Sequence, residues 1–318
     1  MTLREEKLAF EKNGTIYESA VLTFRGVDGF DVYNCSIPFV MGGKRLIFGR
    51  VERREEWATS WVRVFEETGP DEWTLVPDSM IYTLEDPFIQ FFGEELVMGG
   101  TSVQKEAGEV KTYFGYFFRG KELENLRYFT TGPDKMKDIR LVPLKDGNIG
   151  VFSRPRGPEV EARYGSGAVI GFTVIHDLNE LTEEAIANAP VIGNLFGAGE
   201  WGGCNQCYLL RDGRIGVIGH KCYEDKDENG GRLAVYMNVA FVFDPETHTA
   251  TPPRVIATRK SYPERPAKRP ELTDCAFTSG IVLRADGKAD LYSGIGDTFE
   301  GRVTIDHPFP GLMEEKRS

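Results

Sequence analysis

No stretch of this sequence approaches the roughly 20 consecutive apolar residues that a membrane-spanning helix needs, which argues against a helical membrane protein. A basic surplus is missing too. Lys and Arg total 38 against 49 Asp and Glu, for a net charge of -11. Nucleic-acid binding needs the opposite balance, because phosphates are held by a basic surface. Cysteine is sparse and odd in number, at five, with no spacing that suggests a disulfide framework. That usage fits a reducing compartment. The opening "MTLREEKLAF" is charged and lacks the apolar core of a signal peptide. A soluble, cytoplasmic protein is expected. Helical patterning is also scarce. One stretch, "DLNELTEEAIANA" over 177–189, reads as a helix, and it is short and local.

What is abundant is β signal. Hydrophobic content is 41%, aromatic content 12%, and there are 36 glycines. Runs such as "KRLIFGRV", "EELVMGGT", "NIGVFSRP", "RIGVIGHK" and "KADLYSGIG" are short, rich in Val, Ile, Phe and Tyr, and bounded by Gly or Asp-Gly turns. Five turns line up: Gly43-Lys44, Gly93-Glu94, Asp146-Gly147, Asp212-Gly213 and Asp286-Gly287. Each is preceded by an apolar run that opens on a small polar cluster: "YNCSIPFV", "LEDPFIQF", "MKDIRLVP", "GCNQCYLL" and "TDCAFTSG". Third strands follow in "ATSWVRVF", "KTYFGYFF", "GAVIGFTVI" and "NVAFVFD". The simplest architecture is all-β: one five-bladed β-propeller domain over residues 1–318 with a central active-site pocket. A β-sandwich, or two small β domains, is the competing arrangement.

In a propeller the first strand of each blade lies at the central axis. The opening clusters would then bring Asn34, Asp86, Asp138, Asn205 and Asp274 to one pocket. A ring of Asn and Asp is unfavourable to bury without partners. It suits a polyhydroxylated ligand, whose hydroxyls both donate and accept. Taken singly, these same residues are ordinary turn formers and strand-end caps.

The motifs resemble a known family. "LEDPF" looks like the Glu-Asp-Pro signature of the five-bladed propeller β-mannoside phosphorylases and hydrolases of glycoside hydrolase family 130. "KDIRLVPLKDGNIGVFSRPRG", "RIGVIGHKCY" and "DLYSGIGDT" resemble that family's later segments, in order. "DVYNCSIPF", "SRPRG" and "GEWGGCNQ" are similar to the mannosyltransferase/phosphorylases of β-1,2-linked mannan, glycosyltransferase family 108. The resemblance implies inverting chemistry on a β-mannoside by phosphorolysis or synthesis through mannose 1-phosphate. Asp86 is then the general acid, acting through a sugar hydroxyl. Asn34, Arg50, Glu85, Asp138, Glu200, Trp201, Asn205, Asp274 and Asp297 become the substrate-binding set. Lys137, Arg140, Arg154 and His220 become the phosphate ligands, and no cofactor is needed beyond inorganic phosphate or mannose 1-phosphate as substrate.

The residues are compatible with this chemistry. Crowded acids hold protons more tightly, as a general acid requires. Phosphate is gripped by forked donors, and Lys137, Arg140, Arg154 and Arg156 cluster in the third repeat. Surface ion pairs are the alternative use of such arginines. One departure matters: the phosphorylases carry His-Arg-Pro where this chain has Ser153-Arg154-Pro155. A hydroxyl can donate to phosphate but has no charge, and His220 with Lys221 could supply the missing cation. That leaves open hydrolysis, transfer from a nucleotide sugar, or a sugar-binding propeller without catalysis. Because side chains alternate along a strand, Glu85 is expected to turn from Asp86 and anchor a neighbouring strand or an arginine.

Other groupings carry less. Cys204-x-x-Cys207 with His220 and Cys222 does not match a common zinc module, and those thiols suit core packing. No loop has the alternating oxygen ligands of a calcium site. "GAGEWGGCNQ" lacks the Lys and Ser/Thr of a P-loop and reads as a pocket loop whose Trp201 could stack on a sugar or pack in the core. No metal, nucleic acid or membrane partner is expected. The oligomeric state is not set by the sequence, and a homo-oligomer stands open.

Overall fold

A computed structural model describes residues 1–311. The expected domain over 1–318 extends past them, and its last stretch lies outside the described residues. The chain is built of antiparallel strands, as its runs of β-branched and aromatic residues between glycine turns dictate. The five turns all close hairpins. Gly43, Gly93, Gly147, Gly213 and Gly287 take φ of 75°, 62°, 87°, 91° and 80°, a left-handed geometry that glycine enters without steric cost.

The hairpins assemble into four hydrogen-bonded sheets. One joins both ends of the chain. Strands Asp31–Tyr33, Lys44–Glu52, Trp61–Gly69 and Glu72–Leu75 form one half, and Ala276–Leu283, Lys288–Ile295 and Phe299–Asp306 the other. Near the N-terminus, Glu18–Val21 pairs antiparallel with Phe299–Asp306, in register Glu18 to Thr304. Another sheet holds Glu85–Phe92, Glu95–Glu106, Glu109–Gly120 and Arg127–Thr131. Arg140–Pro143, Ile149–Ser153 and Gly171–Ile175 make the smallest. The remaining sheet has Glu200–Leu209, Ile215–Lys226 and Arg232–Asp244 as its long strands.

Strands of successive sheets pack on one another. Glu85–Phe92 lies against Lys44–Glu52 and Arg140–Pro143, and Arg140–Pro143 against Glu200–Leu209. Glu200–Leu209 in turn lies against Ala276–Leu283. The core is therefore divided into seams between neighbouring sheets. Phe48, Leu84 and Met98 fill one. Phe88, Ile139 and Val151 fill the next. Phe152, Phe172 and Phe243 fill a third, with ring centroids 4.6–5.6 Å apart. Each such side chain contributes about 1.5–3 kcal/mol on full burial. The seams hold neighbouring sheets against one another.

The helices differ from expectation. Residues 177–189 divide into a single 3-10 turn, Leu178–Glu180, and a short helix, Glu183–Ala187, capped by Thr182 accepting from the Ala185 amide. The longest helix, Leu3–Asn13, was not anticipated. It starts on a capping box in which Thr2 Oγ1 accepts from the Glu5 amide and the Glu5 carboxylate from the Thr2 amide. Among the described residues no helix is long and apolar enough to cross a membrane. All five cysteines are free and buried.

Candidate active site

Four of the singled-out polar residues share an unusual backbone. Asn34, Asp86, Asp138 and Asp297 have φ of 47°, 50°, 58° and 56°. Asn and Asp tolerate this left-handed region better than other side-chain-bearing residues, and such strain concentrates at functional sites. At Asp86 the cause is visible in the strand register. Glu85 pairs with Thr101 and Phe88 with Gly99, so this strand carries one residue more than its partner, a β-bulge. The strand is paired on one side only, so Pro87 sacrifices no ladder hydrogen bond.

The bulge overturns simple alternation. Glu85 and Asp86 reach the same guanidinium. Arg50 Nη2 lies 3.0 Å from Glu85 Oε1, and Arg50 Nη1 lies 2.9 Å from Asp86 Oδ1. Asn34 Nδ2 donates to the same Asp86 oxygen at 2.9 Å and to Asp297 Oδ1 at 3.4 Å. Arg50 is itself fastened from behind. Its Nε donates to Ser60 Oγ at 2.7 Å, and the guanidinium lies 4.7 Å from the Tyr33 ring centroid. Glu52 adds a second anchor behind, accepting from Tyr33, Ser60, the Thr59 amide and Lys268. Burial alone would raise the Glu52 carboxyl, but Arg50 and these donors outweigh it and hold it down at about 2. Glu85 and Asp297 go the other way. Burial raises both, the neighbouring Asp86 adds to the shift, and Arg50 opposes it.

These groups open on a cavity of about 250 Å³. Its floor holds Asn34, Arg50, Glu85, Asp86 and Asp297. Two cations, Lys137 and Arg156, line the same cavity. Neither has a carboxylate within ion-pair distance among the described residues, although the chain is acidic overall. Trp57, Tyr113, Tyr236 and Phe277 supply aromatic walls.

The other expected site residues stand elsewhere. Asp138, Asn205, Arg140, Arg154 and His220 form a buried layer beside the cavity rather than lining it. Arg154 Nη1 lies 2.9 Å from Asp138, its Nε donates to the Gly202 carbonyl at 2.6 Å, and it is turned inward rather than to solvent. Arg140 packs over the Phe88 ring at 4.5 Å and donates to the Asn205 carbonyl. Burial would raise the Asp138 carboxyl, but Arg154, Lys137 and Arg140 together drive it well below the usual range. Burial, and after it the adjacent Arg154, push His220 well below its ordinary value, and its Nδ1 lies 2.7 Å from Asn205 Oδ1. His220, expected to supply the missing cation, lies in this buried layer and does not line the cavity. Ser153 is no substitute either. A Cβ on Gly171 would lie 2.5 Å from Ser153 Oγ, which places that hydroxyl against the next strand. Gly203 explains how the layer packs, since a Cβ there would meet Arg154 Cδ and His220 Cε1 at 2.9 Å.

Three further assignments change. Asp274 precedes its strand, Ala276–Leu283, and its carboxylate pairs with Lys7 of the N-terminal helix at 2.8 Å. Its neighbour Cys275 lines the cavity instead. The bulge of that strand falls between Thr278 and Gly280, matching the one between Cys204 and Gln206, so the counterpart of Asn205 is Ser279. Glu200 closes its own turn, accepting from the Gly197 amide and pairing with Lys221 at 2.9 Å. Trp201 packs edge-on behind Tyr236 and donates to its hydroxyl, so Tyr236 is the aromatic face the cavity presents. The aromatic lining went unread in the sequence. Trp57, isolated in the polar loop "REEWATS", was the one legible signal.

Fold and cavity together define an all-β protein of the propeller type with an acid floor and a cationic wall. The chain belongs to the family described as Protein of unknown function (DUF1861), which matches residues 8–311. It is similar to a mannose phosphorylase from Leishmania mexicana solved with a phosphate ion, at 50% identity and TM-score 0.92, over 98% of this chain and 96% of that one. It is also similar to a GDP-Man-dependent mannosyltransferase from Leishmania mexicana, at 47% identity and TM-score 0.91, over 99% and 98%. A β-1,2-mannobiose phosphorylase from Listeria innocua shares the fold at 15% identity and TM-score 0.62, over 88% and 91%. No curated protein matches the chain.

Proposed function

We propose that this protein is a mannoside phosphorylase or mannosyltransferase, interconverting a β-mannoside with mannose 1-phosphate with inversion at the anomeric carbon. The observation that carries the reading is whole-chain similarity, at 50% identity, to a phosphate-bound mannose phosphorylase. The cavity supplies what that chemistry requires. Asp86 is the general acid, delivering a proton through a sugar hydroxyl as the glycosidic bond breaks. Asn34 and Arg50 orient its Oδ1 and leave Oδ2 for the sugar. Lys137 and Arg156 hold the attacking phosphate, with Arg154 and Asp138 as the layer that keeps the cationic wall rigid. Glu85 and Asp297 accept from sugar hydroxyls, and the aromatic walls pack on the apolar faces of the ring.

The architecture belongs to the same reading. One domain of five blades surrounds a central pocket, with Glu18–Val21 closing the ring on the last blade. Free, buried thiols support a cytoplasmic setting. Transfer from a nucleotide sugar is the second reading, favoured by the uncharged Ser153 and by the GDP-Man-dependent relative.

The test is to incubate the protein with β-1,2-mannobiose, with and without phosphate, and separately with GDP-mannose and mannose. Phosphate-dependent release of mannose 1-phosphate is expected. Mannose release without phosphate identifies a hydrolase, and transfer from GDP-mannose alone the second reading. Binding without turnover in any arm leaves a sugar-binding protein.

A further inference from the structure

The last hairpin, Lys288–Ile295 with Phe299–Asp306, meets the start of the chain just behind the acid floor. Phe299 pairs in parallel with Val32, two residues before Asn34. The next residue, Glu300, is fully buried, and each of its carboxylate oxygens has its own donor. Oε2 accepts from the Cys35 amide at 3.0 Å and Oε1 from Ser279 Oγ at 2.8 Å. Burial pushes this carboxyl up to about 7, and with or without its proton Oε2 can accept from Cys35 while Oε1 pairs with Ser279 Oγ. Directly across the hairpin from Glu300 stands Gly294. A Cβ there would overlap Asn34 Oδ1 and lie 2.8 Å from Asn34 Cγ and from its backbone nitrogen. Two residues paired across one hairpin thus hold two consecutive residues elsewhere: Gly294 touches Asn34, and Glu300 grips Cys35.

Asn34 needs such holding. Its φ of 47° is left-handed, a conformation that a residue other than glycine keeps only where its surroundings over-determine it. The amide that Glu300 grips belongs to the peptide bond that follows Asn34, so the contact fixes the far side of the strained residue. Asn34 Oδ1 is buried and accepts no hydrogen bond from the protein among the described residues. Packing on Gly294 therefore sets that end of the planar side-chain amide. The other end, Nδ2, donates to Asp86 Oδ1 at 2.9 Å. Where the oxygen rests decides where the nitrogen points.

We infer that Glu300 and Gly294 are positioning residues for Asp86, holding the backbone and the side-chain amide of Asn34 so that Nδ2 meets the carboxylate. The inference rests on the proposed function, in which Asp86 is the general acid, and extends it to a pair that lines no part of the cavity. A misplacement of about 1 Å far from the chemistry can lower a rate about 100-fold. The sheet that joins the two ends of the chain then carries the alignment of the acid.

Three variants and one combination test it, in phosphorolysis of β-1,2-mannobiose at saturating phosphate, below the melting transition measured on each preparation. Gly294→Ala adds one methyl against Asn34 and removes no hydrogen bond. Its kcat should fall about tenfold or more while KM for mannobiose stays within about threefold. Glu300→Met leaves the Cys35 amide without its acceptor and should show the same split. Glu300→Gln can accept from Cys35 through its oxygen and donate to Ser279 Oγ through its nitrogen, so it should rescue kcat to within about threefold of native. Gly294→Ala combined with Asn34→Ala should cost no more than Asn34→Ala alone, because both act through one contact. Folded Gly294→Ala or Glu300→Met with native kcat, whatever its melting temperature, overturns the inference, as does an additive loss in the combination. Should Glu300→Met not fold, Gly294→Ala and Glu300→Gln decide, and a tenfold loss in Glu300→Gln also overturns it. Asp86→Asn inactive with Gly294→Ala unaffected sinks this inference alone. A native protein that turns over no mannoside overturns the functional reading and this inference with it.

Discussion

Replacing Asp86 with Asn keeps the side chain's shape but removes its ionisable proton and its charge. Its Oδ1 accepts from Asn34 and from Arg50, each at 2.9 Å, and an asparagine oxygen can keep both bonds. The new amide then takes the place of Oδ2. What disappears is the charge assistance of the Arg50 contact. Hydrogen bonds to charged groups contribute about 1.5–3 kcal/mol and neutral ones about 1, so folding should weaken by only about 1–2 kcal/mol. Relief of crowding among Glu85, Asp86 and Asp297 reduces even that. Loss of general acid catalysis is larger, about 100- to 10,000-fold in kcat. That corresponds to about 2.7–5.4 kcal/mol of barrier. The assay is release of mannose 1-phosphate from β-1,2-mannobiose at saturating phosphate, with thermal melting and mannobiose binding measured on the same preparation. Glu85→Gln is the internal control, expected to change KM or stability more than kcat. Should Asp86→Asn keep activity within about tenfold of the native protein while remaining folded, Asp86 is not the acid. The carry-over from the Glu-Asp-Pro signature would then be wrong.

Removing Arg50 should be costlier to the fold than to any one contact, because Arg50→Met strands buried Glu85 and Asp86 without their cation. A loss of about 3–5 kcal/mol is expected in denaturant unfolding, and a loss under about 1 kcal/mol would contradict the bridging role. Glu52 sets an acid limit on stability. Its carboxyl falls from its ordinary 4.5 to about 2 on folding, so its contribution is complete above about pH 4.5 and lost as pH drops towards 2. Glu52→Gln should flatten the stability profile of the native protein in that window, and an unchanged acid slope would refute the assignment. Glu300 works with the opposite sign. Burial pushes it up to about 7, so stability should fall as pH rises from 4.5 to 7, and Glu300→Gln should abolish that slope. Finally, Arg156→Ala should raise KM for phosphate about tenfold or more with mannose binding retained, whereas an unmoved phosphate KM would place the anion elsewhere.

Sequence by itself determined the class of structure. Alternating apolar runs and glycine turns are local signals, and the five hairpin turns lie where the repeat put them. The residues of the acid floor were legible for the same reason. Asn and Asp are the types that tolerate a left-handed backbone; Asn34, Asp86 and Asp297 of the floor adopt it, as does Asp138 in the layer beside it. Tertiary structure alone decided which of them meet. A bulge of one residue turns Glu85 and Asp86 towards the same arginine, and register slips of that size leave no mark in hydrophobic period. Strand alignment in the fifth repeat failed at Asp274 because its partner is Lys7, a residue 267 positions away on a helix that the repeat does not contain. The cationic wall was decided the same way. Arg140, Arg154 and Arg156 look alike as letters. Burial against Asp138 and Phe88 uses up the first two, and only Arg156 is left, with Lys137, to face the cavity.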